Sequence, residues 1–176
     1  MAGGNRPYKL ETNKRRPREM TTNSDYSIRA IQSHETIAVR HPVLRPNQSV
    51  EQCRYEGDED PTTFHFGAVG CNGDVIGIAS VMCCNESRYA QFSAQRQFRL
   101  RGMAVLADFQ RQGIGAALLN ACFEEATKRD GDLFWCNARL VAVDFYRKYG
   151  LSVLNDDPFD IQGIGPHHVM FKQLTD

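Results

Sequence analysis

The stretch Gln110-Arg111-Gln112-Gly113-Ile114-Gly115-Ala116 follows an apolar strand and opens an amphipathic helix, and no other feature constrains this chain as strongly. A strand, a glycine turn and a helix start in succession leave backbone N–H groups pointing outward. The first turn of any helix has such orphan donors, and its dipole adds roughly half a positive charge. An anion such as a pyrophosphate seats there, provided no side chain blocks its approach. Gly113 and Gly115 remove two such side chains. The chain therefore reads as one that holds a phosphate-bearing cofactor.

The neighbouring residues narrow the choice of cofactor. A nucleoside-triphosphate loop ends in Gly-Lys-Ser/Thr, whereas Gly115 is followed by Ala116 and Ala117. A dinucleotide fingerprint needs a small residue three positions after its second glycine, where this chain has Leu118. Asp130 and Asp132 stand near the distance expected of its ribose-binding acid, but the Leu118 mismatch and the order of elements weigh against that reading.

The strand that feeds the loop, Gln97 to Val105, changes phase. Phe98 and Leu100 alternate with Arg99 and Arg101, and beyond Gly102 the apolar positions become Met103 and Val105. A strand that keeps its apolar side inward can do this only with an extra residue, which predicts a β-bulge at Gly102. Such a bulge splays two strands apart and leaves N–H groups unpaired.

The remaining elements follow in order. Tyr26 to Ile31 reads as a strand, and a helix beginning at Ser33 or Thr36 is kept short by Pro42 and Pro46. The polar, acidic segment Asn47 to Pro61 reads as a loop with some helix. Phe64 to Val69 and Val75 to Met82 flank Cys71-Asn72-Gly73-Asp74, an Asn-Gly hairpin signal. The helix after the loop aligns Ile114, Ala117, Leu118, Ala121 and Cys122, with Gly131 as its stop. Leu133 to Cys136 reads as a central strand covered on both faces. Val141 to Tyr149 reads as a helix with Val141, Phe145 and Tyr149 aligned and Gly150 as its C′ residue. Leu151 to Leu154 and Val169 to Leu174 complete a mixed α/β fold: a central, strongly twisted sheet with flanking helices.

Composition excludes several classes. At 176 residues the chain has room for one well-packed domain. Its 21 Lys and Arg balance 21 Asp and Glu, so nothing argues for nucleic acid or an acidic membrane surface as a partner. The longest apolar run, Val75 to Cys84, is about half of what a bilayer span needs. The six cysteines show no C-x-x-C pair or Cys/His ligand spacing, so no metal is expected. With no apolar signal region they read as reduced thiols of a cytoplasmic protein. Residues 1–25 are polar and read as a disordered tail, with Met20 as a candidate start and the basic run at 14–18 as solvated. The domain proper is expected over 26–176.

Two pieces of sequence carry a family resemblance. The loop fits Q/R-x-x-G-x-G/A from Gln110, and Phe145-Tyr146-Arg147-Lys148-Tyr149-Gly150-Leu151 fits the pattern Phe/Tyr-Tyr-x-Lys/Arg-x-Gly-Phe/Leu. Together, and in this order, they resemble the GNAT superfamily of N-acetyltransferases. The resemblance runs from Met103 through the loop to Asn137-Ala138-Arg139 and the tyrosine helix. It implies acetyl transfer from acetyl-CoA to a primary amine by direct attack in a ternary complex. Gln112, Gly113, Ile114, Gly115 and Ala116 would hold the pyrophosphate, with a charge-assisted contact from Arg111. Met103, Ala104 and Val105 would grip the pantetheine arm and the thioester carbonyl. Tyr146 would be the general acid, lying off the Val141/Phe145/Tyr149 stripe, and Asn137 and Arg139 would contact the cofactor.

The base is left open among an ordered water relay, His65, His167 and His168, since Leu133-Phe134-Trp135 lacks the glutamate that several relatives carry. Asn47 to Asp60 lies where the family commonly builds its acceptor pocket, and its carboxylates would there attract a cationic amine, but an acidic surface loop is the default reading. The end segment Pro158 to His167 resembles that of small bacterial members and favours a small-molecule acceptor. Oligomeric state stays open, homodimers being common in the family. Two other classes remain: a non-catalytic acyl-CoA-binding sensor of the same fold, and a nucleotide-binding module that prefers NAD or ATP.

Overall fold

The computed structural model describes residues 26–85, 92 and 96–174. The expectations for the tail, for the basic run at 14–18 and for Met20 as a start lie outside the described residues. The elements are β1 (Tyr26–Ile31), α1 (Ile37–Leu44), β2 (Thr63–Gly70), β3 (Val75–Cys83), β4 (Gln97–Val105), α2 (Ile114–Lys128), β5 (Leu133–Arg139), α3 (Val143–Lys148), β6 (Ser152–Val153), β7 (Phe159–Ile161) and β8 (Gly165–Gln173). They form one eight-stranded sheet in the order β1-β2-β3-β4-β5-β8-β6, with β7 also pairing β8. The pairs are antiparallel except β4 with β5.

Periodicity decides which face each element buries. α2 buries Ile114, Leu118, Leu119, Cys122 and Ala126 against Phe98, Leu100, Phe134 and Cys136, and Val143 and Tyr146 of α3 join the same cluster. On the opposite face α1 packs Val39 against Ile31, Ile78 and Ala104. The hairpin between β2 and β3 closes as its Asn-Gly pair predicts, with Gly73 at φ +86° and the Asp74 N–H donating to Asn72 Oδ1 at 3.2 Å.

The bulge falls where the phase change puts it. Ile78 pairs with Ala104 and Ser80 with Arg101, so Gly102 and Met103 together face Ala79. Gly102 has φ +61°, a left-handed conformation that costs other L-residues about 1–2 kcal/mol. Beyond it, Met103 and Val105 pack on the α2 cluster while Ala104 joins the α1 cluster.

Two helix ends differ from the sequence reading. The left-handed exit residue of α2 is Asp130, at φ +55°, and the Gly131 N–H closes the cap on Ala126 O at 2.9 Å. A Cβ at Gly131 would lie 2.7 Å from the Phe98 ring, so this glycine serves close packing and is not the stop. The tyrosine helix is also shorter than expected, because Leu140–Ala142 is a 3-10 turn. A 3-10 turn advances by about 120° per residue instead of 100°, which shifts the phase. Val141 is left 92% exposed, and the buried residues of α3 are Val143 and Tyr146. The stripe of Val141, Phe145 and Tyr149 is therefore corrected: Tyr146 itself is the inward-facing aromatic. Gly150, at φ +85°, ends the helix as expected.

Candidate active site

The pairing of β4 with β5 ends at Leu100 and Cys136. From there β4 runs on beside β3 to Val105, and β5 runs on beside β8 to Arg139. The fork between them is a cleft of about 330 Å³, floored by Leu100 to Met103 and Cys136 to Arg139 and walled by Tyr146, Tyr55, Arg45 and His167.

Backbone alternation decides which amides face the fork. The Leu106 N–H donates to Ile76 O at 2.9 Å, and Ala104 sits opposite Ile78. Donors on a strand alternate between its two neighbours, so the amides of Met103 and Val105 turn away from β3 towards the fork. Ala104 turns the other way, and its side chain is buried under α1. Of the three strand residues expected at the cofactor, Met103 and Val105 reach the gap and Ala104 does not. The Val105 carbonyl accepts from Gln110 Nε2 at 3.0 Å, which ties the start of the glycine loop to the strand.

The loop presents its donors openly. Arg111 adopts φ +60° and Gly113 φ +83°, and both are exposed. No side chain caps the N-terminus of α2. The atom nearest to a Cβ at Gly113 would be Tyr26 Oη, at 3.8 Å, so the approach to the amides of Ile114, Gly115 and Ala116 is clear. Gly115 lies over Met103 and Phe145, with a Cβ there 3.4 Å from Met103 Cε, so the helix start and the fork adjoin on one face of the sheet. Gln112 is exposed and its side chain donates to Asp108 O, 3.1 Å away. These residues fit a pyrophosphate followed by an extended arm: open donors at a helix start, then strand amides turned towards the fork.

Tyr146 and the histidines define the proton chemistry. Tyr146 is 8% exposed, and among the described residues its hydroxyl meets only a soft acceptor, Met103 Sδ, at 3.8 Å. Burial, with smaller contributions from Cys136 and Cys122, holds its pKa well above the usual phenol value. Burial likewise raises the Cys122 thiol and pushes the Cys136 thiol up to about 12. All three groups stay protonated at neutral pH.

Of the three candidate histidines, only His167 lines the cleft. His65 is held two strands from the fork, on β2, outside the cleft: its Nδ1 meets Ser80 Oγ at 2.7 Å and its Nε2 donates to Asp58 O at 2.9 Å. His168 points the opposite way along β8 and donates from Nδ1 to Asn155 O. His167 Nδ1 donates to Gly165 O at 2.7 Å, so in the neutral ring Nε2 carries the lone pair. Burial lowers its pKa, and Arg139 and Arg45 add to that against the opposing effects of the Gly165 hydrogen bond and Asp160.

The largest departure from the sequence reading is the charge of the cleft. The segment 47–60 contributes Tyr55 to the cleft wall but none of its carboxylates. Asp58 is turned inward, taken by Arg40 Nη1 at 2.5 Å, Arg101 Nη2 at 3.0 Å and the Tyr55 N–H at 2.8 Å. Glu59 pairs with Ser33, and Asp60 with Thr62. The cleft is lined instead by Arg45, Arg99, Arg101 and Arg139, and by no Asp or Glu among the described residues. Tyr55 organises them, its ring lying under the guanidinium groups of Arg40, Arg45 and Arg101 at 3.9, 5.5 and 5.2 Å. The alternation of Arg99 and Arg101 with Phe98 and Leu100 already places two of these on one strand face. Arg45 and Arg139 give no such signal, because only the fold brings them together. Asn137 also lines the cleft, and its Oδ1 is buried without a hydrogen-bond partner among the described residues.

Comparison with known proteins matches this arrangement. A family model described as an acetyltransferase (GNAT) domain fits residues 62–151, which contain the fork, the loop and Tyr146. YitI, an uncharacterized N-acetyltransferase of Bacillus subtilis (strain 168), is 38% identical over 147 residues, or 84% of this chain and 95% of its own. Among solved structures, an aminoglycoside 6′-N-acetyltransferase complexed with coenzyme A aligns with a TM-score of 0.66 at 13% identity, over 85% of this chain and 98% of its own. An acetyltransferase of the GNAT family from Staphylococcus aureus Mu50 aligns with a TM-score of 0.64 at 15% identity, over 85% and 100%. At such identities these two structures share the fold alone.

Proposed function

Since the chain belongs to the GNAT family of acetyltransferases, we propose that it moves an acetyl group from acetyl-CoA to the primary amine of a small acceptor, by direct attack with both substrates bound. The observation that carries this reading is the fork: the amides of Met103 and Val105 turn away from β3 on one side, and on the other lies a partly open cleft lined by Asn137, His167 and Tyr146.

Acetyl-CoA supplies an activated thioester. The amides at the start of α2 and the side chain of Arg111 hold its pyrophosphate. The Met103 and Val105 amides donate to the arm and to the acyl oxygen, where preorganised donors are typically worth about a hundredfold or more in rate. His167 accepts the proton of the acceptor amine at Nε2. Tyr146 gives its proton to the departing sulfur. The environments of these two groups suit those roles: the buried phenol stays protonated, and the histidine, lowered in pKa, stays neutral at pH 7.

The test begins with thermal shift against acetyl-CoA, CoA, NAD and ATP. A rise with acetyl-CoA and CoA alone is expected. Gly113→Glu should abolish it by filling the anion site, whereas Gly113→Ala, which carries the same φ strain without the charge, should retain most of it. No shift at millimolar acetyl-CoA would sink the proposal. Binding without thiol release across an amine panel would assign the chain to non-catalytic acyl-CoA sensing.

A further inference from the structure

Among the described residues, two arginines on the acceptor side of the cleft, Arg45 and Arg139, have no carboxylate partner. Arg99 and Arg101 on β4, and Arg139 on β5, alternate with the residues that pack under α2, so all three project from the opposite face of the sheet. Arg45, just beyond α1, closes over them. One carboxylate, Asp58, serves both Arg40 and Arg101. Arg139 donates only to a neutral carbonyl, Leu44 O, at 3.1 Å. Arg45 has no hydrogen bond or ion pair among the described residues, and it lies over the Tyr55 ring. Guanidinium groups grouped in a partly enclosed cleft repel one another unless an anion joins them. Their planar fork suits a carboxylate or a phosphate.

Two features argue against the cofactor's phosphates as that anion. The helix start that suits a pyrophosphate is on the α2 face, in contact with Met103 and Phe145, while the arginines lie on the α1 face. The cleft also contains the buried Asn137 Oδ1, an acceptor awaiting a donor such as an amine N–H.

Building on the acetyl-transfer reading, we infer that the acceptor is a small amine that also bears an oxyanion, a carboxylate or a phosphate, held by Arg45 and Arg139. The amine then lies towards Asn137 and His167. Cationic polyamines and aminoglycosides are disfavoured by the same field.

Binding can be read without turnover, because the chain has a single tryptophan and Trp135 stacks under Arg99 at 4.8 Å on the edge of this cleft. The CoA-saturated protein is titrated with free alanine, alanine methyl ester, 2-aminoethyl phosphate and 1,4-diaminobutane while Trp135 fluorescence is followed. One of the two anionic amines should bind at least tenfold tighter than the ester and the diamine, and which one binds decides between carboxylate and phosphate. Arg45→Gln should remove that preference with CoA affinity unchanged, and Arg45→Lys should restore part of it. Equal binding of acid and ester, tighter binding of the diamine, or an Arg45→Gln variant that loses CoA as well would each overturn the assignment. Thiol release is measured in parallel. Selective anion binding without release would leave the oxyanion site standing and remove acetyl transfer.

Discussion

The Tyr146 hydroxyl lies 3.8 Å from the Met103 sulfur, so the buried phenol of α3 leans on the residue whose amide opens into the fork. Thioether sulfur is a weak acceptor, which leaves the hydroxyl free to turn towards a better partner in the cleft. Tyr146→Phe should therefore cost little stability, within about 1 kcal/mol by urea unfolding. Its effect should fall on kcat, with a loss of about a hundredfold or more and an unchanged acetyl-CoA Kd. An unaltered kcat would reduce Tyr146 to a core aromatic.

With His167 as the proton acceptor of the proposed transfer, it should set the acid limb of the rate profile. Burial, helped by Arg139 and Arg45, lowers its pKa from 6.5, so protonation removes the Nε2 lone pair only below that value. The predicted kcat/KM is flat between pH 7 and 8 and falls as pH drops through the lowered pKa. His167→Gln should reduce the plateau and erase that limb. If the variant kept the wild-type limb, the proton acceptor would be a water relay or another group.

Asp58 stabilises the fold from beneath the cleft. Burial alone would raise its pKa, but hydrogen bonds from Arg40, the Tyr55 N–H and Arg101 outweigh it and hold the carboxyl below its usual 3.8. A depressed folded-state pKa contributes stability that is complete above the unfolded value and is lost as pH falls through the folded one. Acid unfolding should therefore steepen below pH ~4. Asp58→Asn leaves the fully buried Arg40 without its counter-charge, and a loss of about 3–5 kcal/mol is expected at neutral pH. Urea midpoints at pH 7 and pH 3.5 should converge in the variant; a gap as wide as in the wild type would place the acid sensitivity elsewhere.

What the sequence reveals here follows from how local each signal is. The bulge is legible because Phe98 and Leu100 to one side of Gly102, and Met103 and Val105 to the other, must share one apolar face. The loop is legible because Gly113 and Gly115 stand directly before an amphipathic helix. The full cationic face is not, since Arg45, the pair Arg99 and Arg101, and Arg139 come from three separate segments that no spacing in the sequence brings together. The acidic loop misleads for the same reason: composition counts its carboxylates but not their direction, and Asp58 points inward to Arg40. The phase of α3 is lost because the 3-10 turn at 140–142 leaves no mark in hydrophobic spacing.

Gly102 should couple stability to cofactor binding. Its φ of +61° costs an alanine about 1–2 kcal/mol. The added Cβ would also lie 3.2 Å from Arg40 Nε and 3.3 Å from the Tyr55 ring. Arg40 cannot retreat, because Asp58 and the Cys53 carbonyl pin its guanidinium. The chain can relieve the contact only by shifting the bulge, and a one-residue slip would turn the Met103 and Val105 amides away from the fork. Gly102→Ala should thus lower the urea midpoint by an amount equivalent to about 1–3 kcal/mol and weaken acetyl-CoA binding at least tenfold by calorimetry. Gly73→Ala is the control: its φ of +86° carries comparable strain, but no atom lies within 4 Å of the new Cβ and Gly73 does not line the cleft. That variant should lose similar stability and bind acetyl-CoA as the wild type does. If Gly102→Ala also bound normally, the bulge would be dispensable for the cofactor, and the Met103 and Val105 amides would not be its anchor.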